Sequence, residues 1–555
     1  MKRRNFLKIF SATSVTPFVV NGHSFKPFAN TKMAKILSSC DGVEERVLVL
    51  VQLKGGNDGL NAVIPIPQYD TYMALRPNIG IPEADLIKLD TTLPNGDQIG
   101  LHPAMLKVKE LYDKGWASIV QGAGYQSMNQ SHFKGTDLWL SGGDTTSENI
   151  NISTGWMGRA LQAIYPDVLG APTTDMPDPL GIQVGDSNIS LGFHTETEHQ
   201  NALNLSGQDP SGFYSLIQTI GGAPVMNIPD SEQGEQIEFI MGVERSVSLY
   251  AQRITSVFNA GTNSITDYPV LNGSTLGAQL KTIARLIKGG CKTKIYLCQL
   301  GGFDTHGAQV DSGTPTTGDH ALLLQYLSES VDTFLRDLDG MGIADQVVAC
   351  TFSEFGRCAK ENGSDGTDHG TLSPMMLFGK NINAGVLGTN VNLSNLTADN
   401  QLQGVQHDYR QVFASLLQDW LGADNMVMEE AMFDGYAKLN VIDTASIVSP
   451  DCYLNGGGGG VSTWEGPKRA RTLALFPNPA SINVEITYTS KSAFDARITL
   501  HTLGGSLISG STVRVETGEN LYFMDVSEVP SGIYFVRIEN KTTGAGEALR
   551  LNVVR

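Results

Sequence analysis

Charge is scarce in this sequence, and what there is leans one way. Charged residues make up 17% of the 555, with 39 Lys+Arg against 57 Asp+Glu, for a formal net charge of −18. A field of that sign argues against nucleic acid or an anionic membrane surface as a partner. No later stretch reaches the roughly 20 consecutive apolar residues needed to cross a bilayer, so no spanning helix is expected in the mature protein. The six cysteines (Cys40, Cys291, Cys298, Cys350, Cys358 and Cys452) show neither a CxxC pair nor zinc-finger spacing, and nothing in them requires disulfides. A phosphate-binding P-loop and a dinucleotide fingerprint are also missing. With 41% hydrophobic residues the chain is globular, with no disordering excess of charge.

At this length more than two units are expected, or one large domain with an appendage. The clearest seam is "NGGGGGVSTWEGPKRAR", residues 455–471, whose glycine run cannot hold a helix or strand. Beyond it, "VEITYTS", "ARITLHTLGG", "LYFMDVSEVPSGIYFVRIEN" and "EALRLNVVR" alternate apolar and polar residues between turn residues, the pattern of a small all-β sandwich. The expected division is a leader over 1–44, a body over 45–450, a Gly-rich linker over 451–472 and the sandwich over 473–555.

The body alternates strand-like and helix-like stretches. "RVLVLVQL" reads as a strand buried on both faces, and "TKIYLCQL", "ALLLQYLSESVDTFLRDLDGMG" and "DQVVACTF" form a strand–helix–strand unit. The fold class this implies is α/β, a mostly parallel sheet with helices on both faces. Ligands in such sheets collect beyond the carboxyl ends of the strands. Four polar motifs directly follow expected strands: "KGGNDGLN", "YQSMNQSHF", "GGFDTHGAQ" and "SEFGR". A fifth, "GSDGTDHGT", precedes the apolar "SPMMLFG". Together they offer Asp58, Ser131, His132, Asp304, His306, Glu354, Arg357, Asp368 and His369 on one sheet edge. Carboxylate oxygens and imidazole nitrogens are ligands for zinc, and the oxygens also suit calcium, magnesium or manganese. His102 and His132 are further histidines that could face the site.

The N-terminal "MKRRNFLKIFSATSVTPFVV", a basic pair followed by a weakly apolar stretch, resembles a twin-arginine export signal, with a Sec signal or a buried first helix as the alternatives. "FPNPA", "PSGIYFVRI" and the terminal "LNVVR" resemble, in that order, the type A C-terminal sorting domain of the type IX secretion system. That resemblance implies passage through the periplasm and across the outer membrane, followed by release or surface attachment. "LKGGNDGLN", "SHF", "GGFDTH", "FSEFGR" and "TDHG" resemble the exported bacterial family called domain of unknown function 1501, a branch of the alkaline phosphatase and sulfatase superfamily.

The superfamily resemblance implies a divalent metal ion and a small anionic ester as substrate. It places Asp58, Asp304, His306, Glu354, Asp368 and His369 as metal ligands, with Asp368 either ligating or orienting a histidine. Ser131 falls at the nucleophile's place, or is simply a helix N-cap. Arg357 either holds an anionic group or neutralises Glu354 and Asp304. Asp58 is a ligand or an Asx cap in "GNDG". Asp304 and His306 stand closer in sequence than the superfamily's Asp-x-x-x-His pair. Relatives read "SDHG" where this chain reads "SEFG", so Phe355 replaces a histidine and one metal position is weakened or lost. Two functions follow: an exported metal-dependent hydrolase of phosphate or sulfate esters, or a secreted binding or structural protein with a degenerate site.

Overall fold

"RVLVLVQL" is apolar on both faces because it lies mid-sheet. It forms β1 (Val47–Lys54), buried throughout except at Lys54. The computed structural model describes 45–447 apart from 167, 169, 186–189, 196–200, 206–249 and 272–273. It also describes two three-residue strands at Phe18–Val20 and His23–Phe25, and 473–553 apart from 477–479, 481–482, 491, 503–506 and 542–545. Most of the expected leader, the Gly-rich linker, Cys40 and Cys452 lie outside the described residues. The chain divides into two compact units, Met1–Gly456 and Gly457–Arg555.

In the first unit the other strands of the main sheet are β2 (Ala117–Gly124), β3 (Gly181–Val184), β4 (Ala202–Leu205), β5 (Ile295–Gly301), β6 (Val347–Phe352), β7 (Ser373–Phe378), β8 (Gly385–Leu387) and β9 (His407–Asp408). Their order is β8-β2-β7-β6-β1-β5-β3-β4, with β9 also paired to β2. β5 and β6 flank β1 in parallel, while β7 runs antiparallel to both β6 and β2. Since β7 opposes both, β2 and β6 point the same way. The carboxyl ends of β1, β2, β5 and β6 therefore share one rim with the amino end of β7. The loop before β7 reaches the same place as the loops after the other four.

Helices cover both faces. On one face pack α2 (His132–Ser141), α3 (Trp156–Ile164) and α6 (Tyr409–Ser415); on the other, α1 (Leu106–Asp113), α4 (Leu276–Lys288) and α5 (Asp319–Gly340). The alternation of β1 assigns its residues to these layers. Leu48 and Leu50 join the core under α2, and Val47, Val49, Val51 and Leu53 join the core under α5. Trp139 of α2 stacks at 4.2 Å on Tyr409 and at 5.8 Å on Phe352, which fixes the helix against β6. Gly142, with φ 76°, ends α2 in the left-handed region and returns its N–H to the Leu138 carbonyl.

At the start of α5, His320 is fully buried, and its Nε2 meets the Asn57 side chain at 3.1 Å, tying the helix to the loop after β1. His102 lies beside it at a ring separation of 6.3 Å. Burial pushes the His320 imidazole down to about 4, so it is neutral in the native state. Burial likewise depresses His102, to about 3.

The second unit is a β-sandwich. A three-stranded sheet (Leu473–Phe476, Asn483–Ser490, Gly518–Asp525) and a four-stranded one (Leu507–Val515, Phe494–Thr502, Gly532–Asn540, Gly546–Val553) share one core. Alternate residues enter it: Val484 and Ile486, then Ala496, Ile498 and Leu500, then Val536 and Ile538.

Two stability predictions follow from the first unit. Trp139→Ala removes the ring that seats α2 and should cost about 3–5 kcal/mol in denaturant unfolding. Because the unfolded chain binds a proton at position 320 below pH 6.5 and the folded chain does not, stability falls as pH drops from 6.5 towards about 4, by about 3 kcal/mol from this group. His320→Gln should make that stretch of the stability–pH curve shallower, leaving the slope that His102, depressed over the same range, contributes. A slope unchanged by the substitution would show that His320 contributes none of it.

Candidate metal site on the sheet rim

The loop after β1 opens with Gly55 and Gly56, and no other residue would fit. Their φ angles are 121° and 82°. A Cβ on Gly55 would stand 2.4 Å from the Asp304 nitrogen, and one on Gly56 would stand 2.4 Å from the Phe355 ring. The glycine pair thus lets the loops after β1, β5 and β6 press together, and the chemistry is built where they meet.

Asp304 stands at the centre. Its Oδ1 accepts from Arg357 Nη2 at 2.7 Å and lies 3.3 Å from Nε2 of both His306 and His369; its Oδ2 lies 3.4 Å from His132 Nε2. Each histidine is held by its other nitrogen. His369 Nδ1 meets the Gln130 carbonyl at 2.9 Å, His132 Nδ1 meets Glu354 Oε1 at 2.9 Å, and His306 Nδ1 meets Asp368 Oδ1 at 3.1 Å. A carbonyl or an ionised carboxylate only accepts, so these Nδ1 atoms carry the protons. The Nε2 atoms of all three rings then face Asp304, where an imidazolium donates to the carboxylate and a neutral ring offers its lone pair to a cation.

The electrostatics agree. Burial opposes ionisation of Asp304, but the hydrogen bond and charge of Arg357, helped by His132 and His369, hold its carboxyl below the usual range. Burial first, then Arg357, depresses His369, which keeps it neutral near pH 7. Asn362 donates to Asp368 and, with His306, holds that carboxyl low against a smaller opposing effect of burial. Two buried atoms here lack a hydrogen-bond partner among the described residues, His132 Nε2 and Glu354 Oε2. The ligand atoms of His132, Asp304 and His369 all lie within 4.8 Å of one another, close enough for one ion. The donor set and the orphaned nitrogen both fit a divalent cation.

His132 is the residue the sequence reading undervalued. It opens α2, whose Thr136 takes a hydrogen bond from Gln52 of β1 at 3.3 Å, so positions 132 and 136 face the sheet together. Gly135, on the same side, allows the close approach: a Cβ there would be 3.3 Å from the Glu354 carbonyl oxygen. The signal was present as the i, i+3, i+4 spacing of "HFKGT".

Other residues are placed differently from expectation. Asp58 is buried and takes no part in the ring. Its Oδ2 accepts from Arg76 at 2.7 Å and Gln309 at 2.6 Å, and its Oδ1 caps the short helix Gly59–Ala62 through the Leu60 N–H. Arg357 is wholly buried and donates to the carbonyls of Gly55, Gly56, Phe303 and Thr367 as well as to Asp304. It is a positioning residue with no exposed face to offer a substrate. Glu354 reaches the ring through His132 and also accepts from the Gly55 N–H at 2.8 Å. Asp368 orients His306 rather than its neighbour His369. Ser131 is exposed at the N-cap position of α2, where its hydroxyl makes no capping bond. Phe355 is buried beneath the ring, 4.9 Å from His132 and 4.7 Å from His369 between ring centres.

Residues 277–427 match the family described as Protein of unknown function (DUF1501), and residues 474–548 match the Secretion system C-terminal sorting domain. No curated protein matches the sequence. Among solved structures, the lipoteichoic acid synthase LtaP of Listeria monocytogenes is 8% identical, covers 74% of this chain and 81% of its own, and has a TM-score of 0.29. A protein in the alkaline phosphatase superfamily from Vibrio parahaemolyticus is 9% identical over 100% of this chain and 92% of its own, with a TM-score of 0.29. The PsFucS1 sulfatase from Pseudoalteromonas sp. is 9% identical over 98% and 90%, with a TM-score of 0.28. At such scores these likenesses add no argument to the sheet order itself. The chain thus joins a segment similar to DUF1501, which holds Asp304, His306, Glu354, Arg357, Asp368 and His369, to one similar to the secretion system C-terminal sorting domain.

Proposed function

We propose that this protein is an exported hydrolase of phosphate or sulfate esters that holds one divalent cation on Asp304, His132, His306 and His369. The observation that carries this reading is the convergence of the Nε2 atoms of His132, His306 and His369 on one carboxylate. Imidazole-rich donors favour zinc over calcium or magnesium, which take oxygen ligands. Such an ion, when bound, lowers the pKa of a water or hydroxyl and offsets charge on a leaving oxygen. The chain's own residues do the rest. Arg357 fixes the angle of the Asp304 carboxylate, and Glu354, Asp368 and the Gln130 carbonyl set the tautomers of the histidines. Ser131, its hydroxyl free of capping, is the nucleophile candidate beside His132.

Export is supported at one end by the sorting domain and, in this proposal, begins at the other through a twin-arginine or Sec signal. The sorting domain marks the chain for secretion or the cell surface, here through the type IX machinery. No helix among the described residues is long and apolar enough to cross a membrane.

One observation favours a second reading, a binding or structural protein. Phe355 occupies the place of the superfamily's histidine and puts a carbon ring under the site. Aryl phosphates and aryl sulfates, offered to protein purified with its metal retained, separate the two readings: complete inactivity with the cation in place decides for the binding protein. Asp304→Ala should bring bound metal, measured by elemental analysis, close to zero. Glu354→Gln should weaken cation binding about 10- to 100-fold by loosening His132. Wild-type metal content in Asp304→Ala would remove this cluster from consideration.

A further inference from the structure

An anionic ester needs a positive group to hold it, and Arg357 is not that group: it is buried and committed to backbone carbonyls and Asp304. We infer that Lys54 grips the anionic group of the substrate, an inference that rests on the ester-hydrolase reading above.

Lys54 is the last residue of β1, at the rim, and the one exposed position of that strand. It forms no ion pair or side-chain hydrogen bond among the described residues. Its direction follows from strand alternation: Leu48 and Leu50 point into the core under α2, Gln52 reaches Thr136 of α2, and Lys54 continues the same face. Two residues up the strand from Gln52 is about 6.6 Å. Four residues back along α2, from Thr136 to His132, is about 6 Å. Since α2 descends from the rim, Lys54 stands level with His132.

Its two flanks are chemically different. On the β6 side, Gln52 pairs with Phe352, so Glu354 lies at the level of Lys54 and is already bonded to Gly55 and His132. On the β5 side its register partner is Gly301, and a Cβ built there would find nothing within 4 Å. The lysine therefore has open space on the side leading to Gly302, Phe303 and Asp304. A flexible ammonium with three donors, beside an open slot and near a cation site, suits a tetrahedral oxyanion such as a phosphate or sulfate group.

The test uses the full-length, zinc-loaded protein with inorganic phosphate as the probe and 4-nitrophenyl phosphate and sulfate as substrates. Lys54→Ala should weaken phosphate binding, read by calorimetry and as a competitive inhibition constant, about 10- to 100-fold while leaving bound zinc unchanged. Lys54→Arg should recover part of the loss and Lys54→Gln should not. Wild-type phosphate affinity in Lys54→Ala would overturn the inference even if the esters are hydrolysed. Lys54-dependent phosphate binding without turnover would uphold it and sink the hydrolase reading alone.

Discussion

The rim is organised around one buried cation, the guanidinium of Arg357. Burying such a charge without partners would be prohibitively costly, and the fold meets that cost with acceptors from separate loops. Gly55 and Gly56 after β1, Phe303 after β5 and Thr367 before β7 all turn carbonyls towards it, and Asp304 adds a carboxylate at 2.7 Å. The requirement runs both ways. The carbonyls converge only because the glycine pair leaves no side chains between the loops, and Asp304 keeps its orientation only because Arg357 is itself immobilised. Arg357 also faces His369 across an isolated antiparallel bridge, so the same residue sets the carboxylate and one of the imidazoles beside it.

Phe355 shows what such a centre trades. An aromatic ring under His132 and His369 offers no ligand, but it is fully buried and excludes water from beneath both imidazoles. Imidazoles pressed against a low-dielectric floor resist protonation, which agrees with the depressed pKa of His369. The ring thus adds no donor atom, and its place is against the flank of His369, whose imidazole burial keeps neutral. Among the described residues the group close enough for one ion is His132, Asp304 and His369, with His306 beside the same carboxylate.

Much of the scaffold was legible because it depends on local pattern. Continuous apolar runs such as "RVLVLVQL" name strands buried on both faces, and motifs that follow such runs in parallel must share an edge. "TDHG" reaches the same edge for a different reason: it precedes β7, the antiparallel strand, a relation that no local pattern encodes. What stayed open are pairings distant in sequence. Asp58 could be a ligand or a cap because its partner, Arg76, follows a separate short helix and gives no sign in the "GNDG" motif. Arg357 looked available because nothing local shows four carbonyls closing over it. His132 looked secondary because its weight comes from Glu354, more than two hundred residues away.

That separation has a consequence for when the site exists. The residues of the ring run from His132 to Asp304 and His369, so no fragment of the sheet holds them together. They meet only when β2, β5, β6 and β7 are all in place, and in the unfolded chain their mutual concentration is negligible. A cation that binds this ring binds the folded state alone, and its binding free energy adds directly to folding stability. A cation on this ring would therefore couple loading to folding in the first unit, whereas the second unit is held by its own core of alternating valine, isoleucine and leucine.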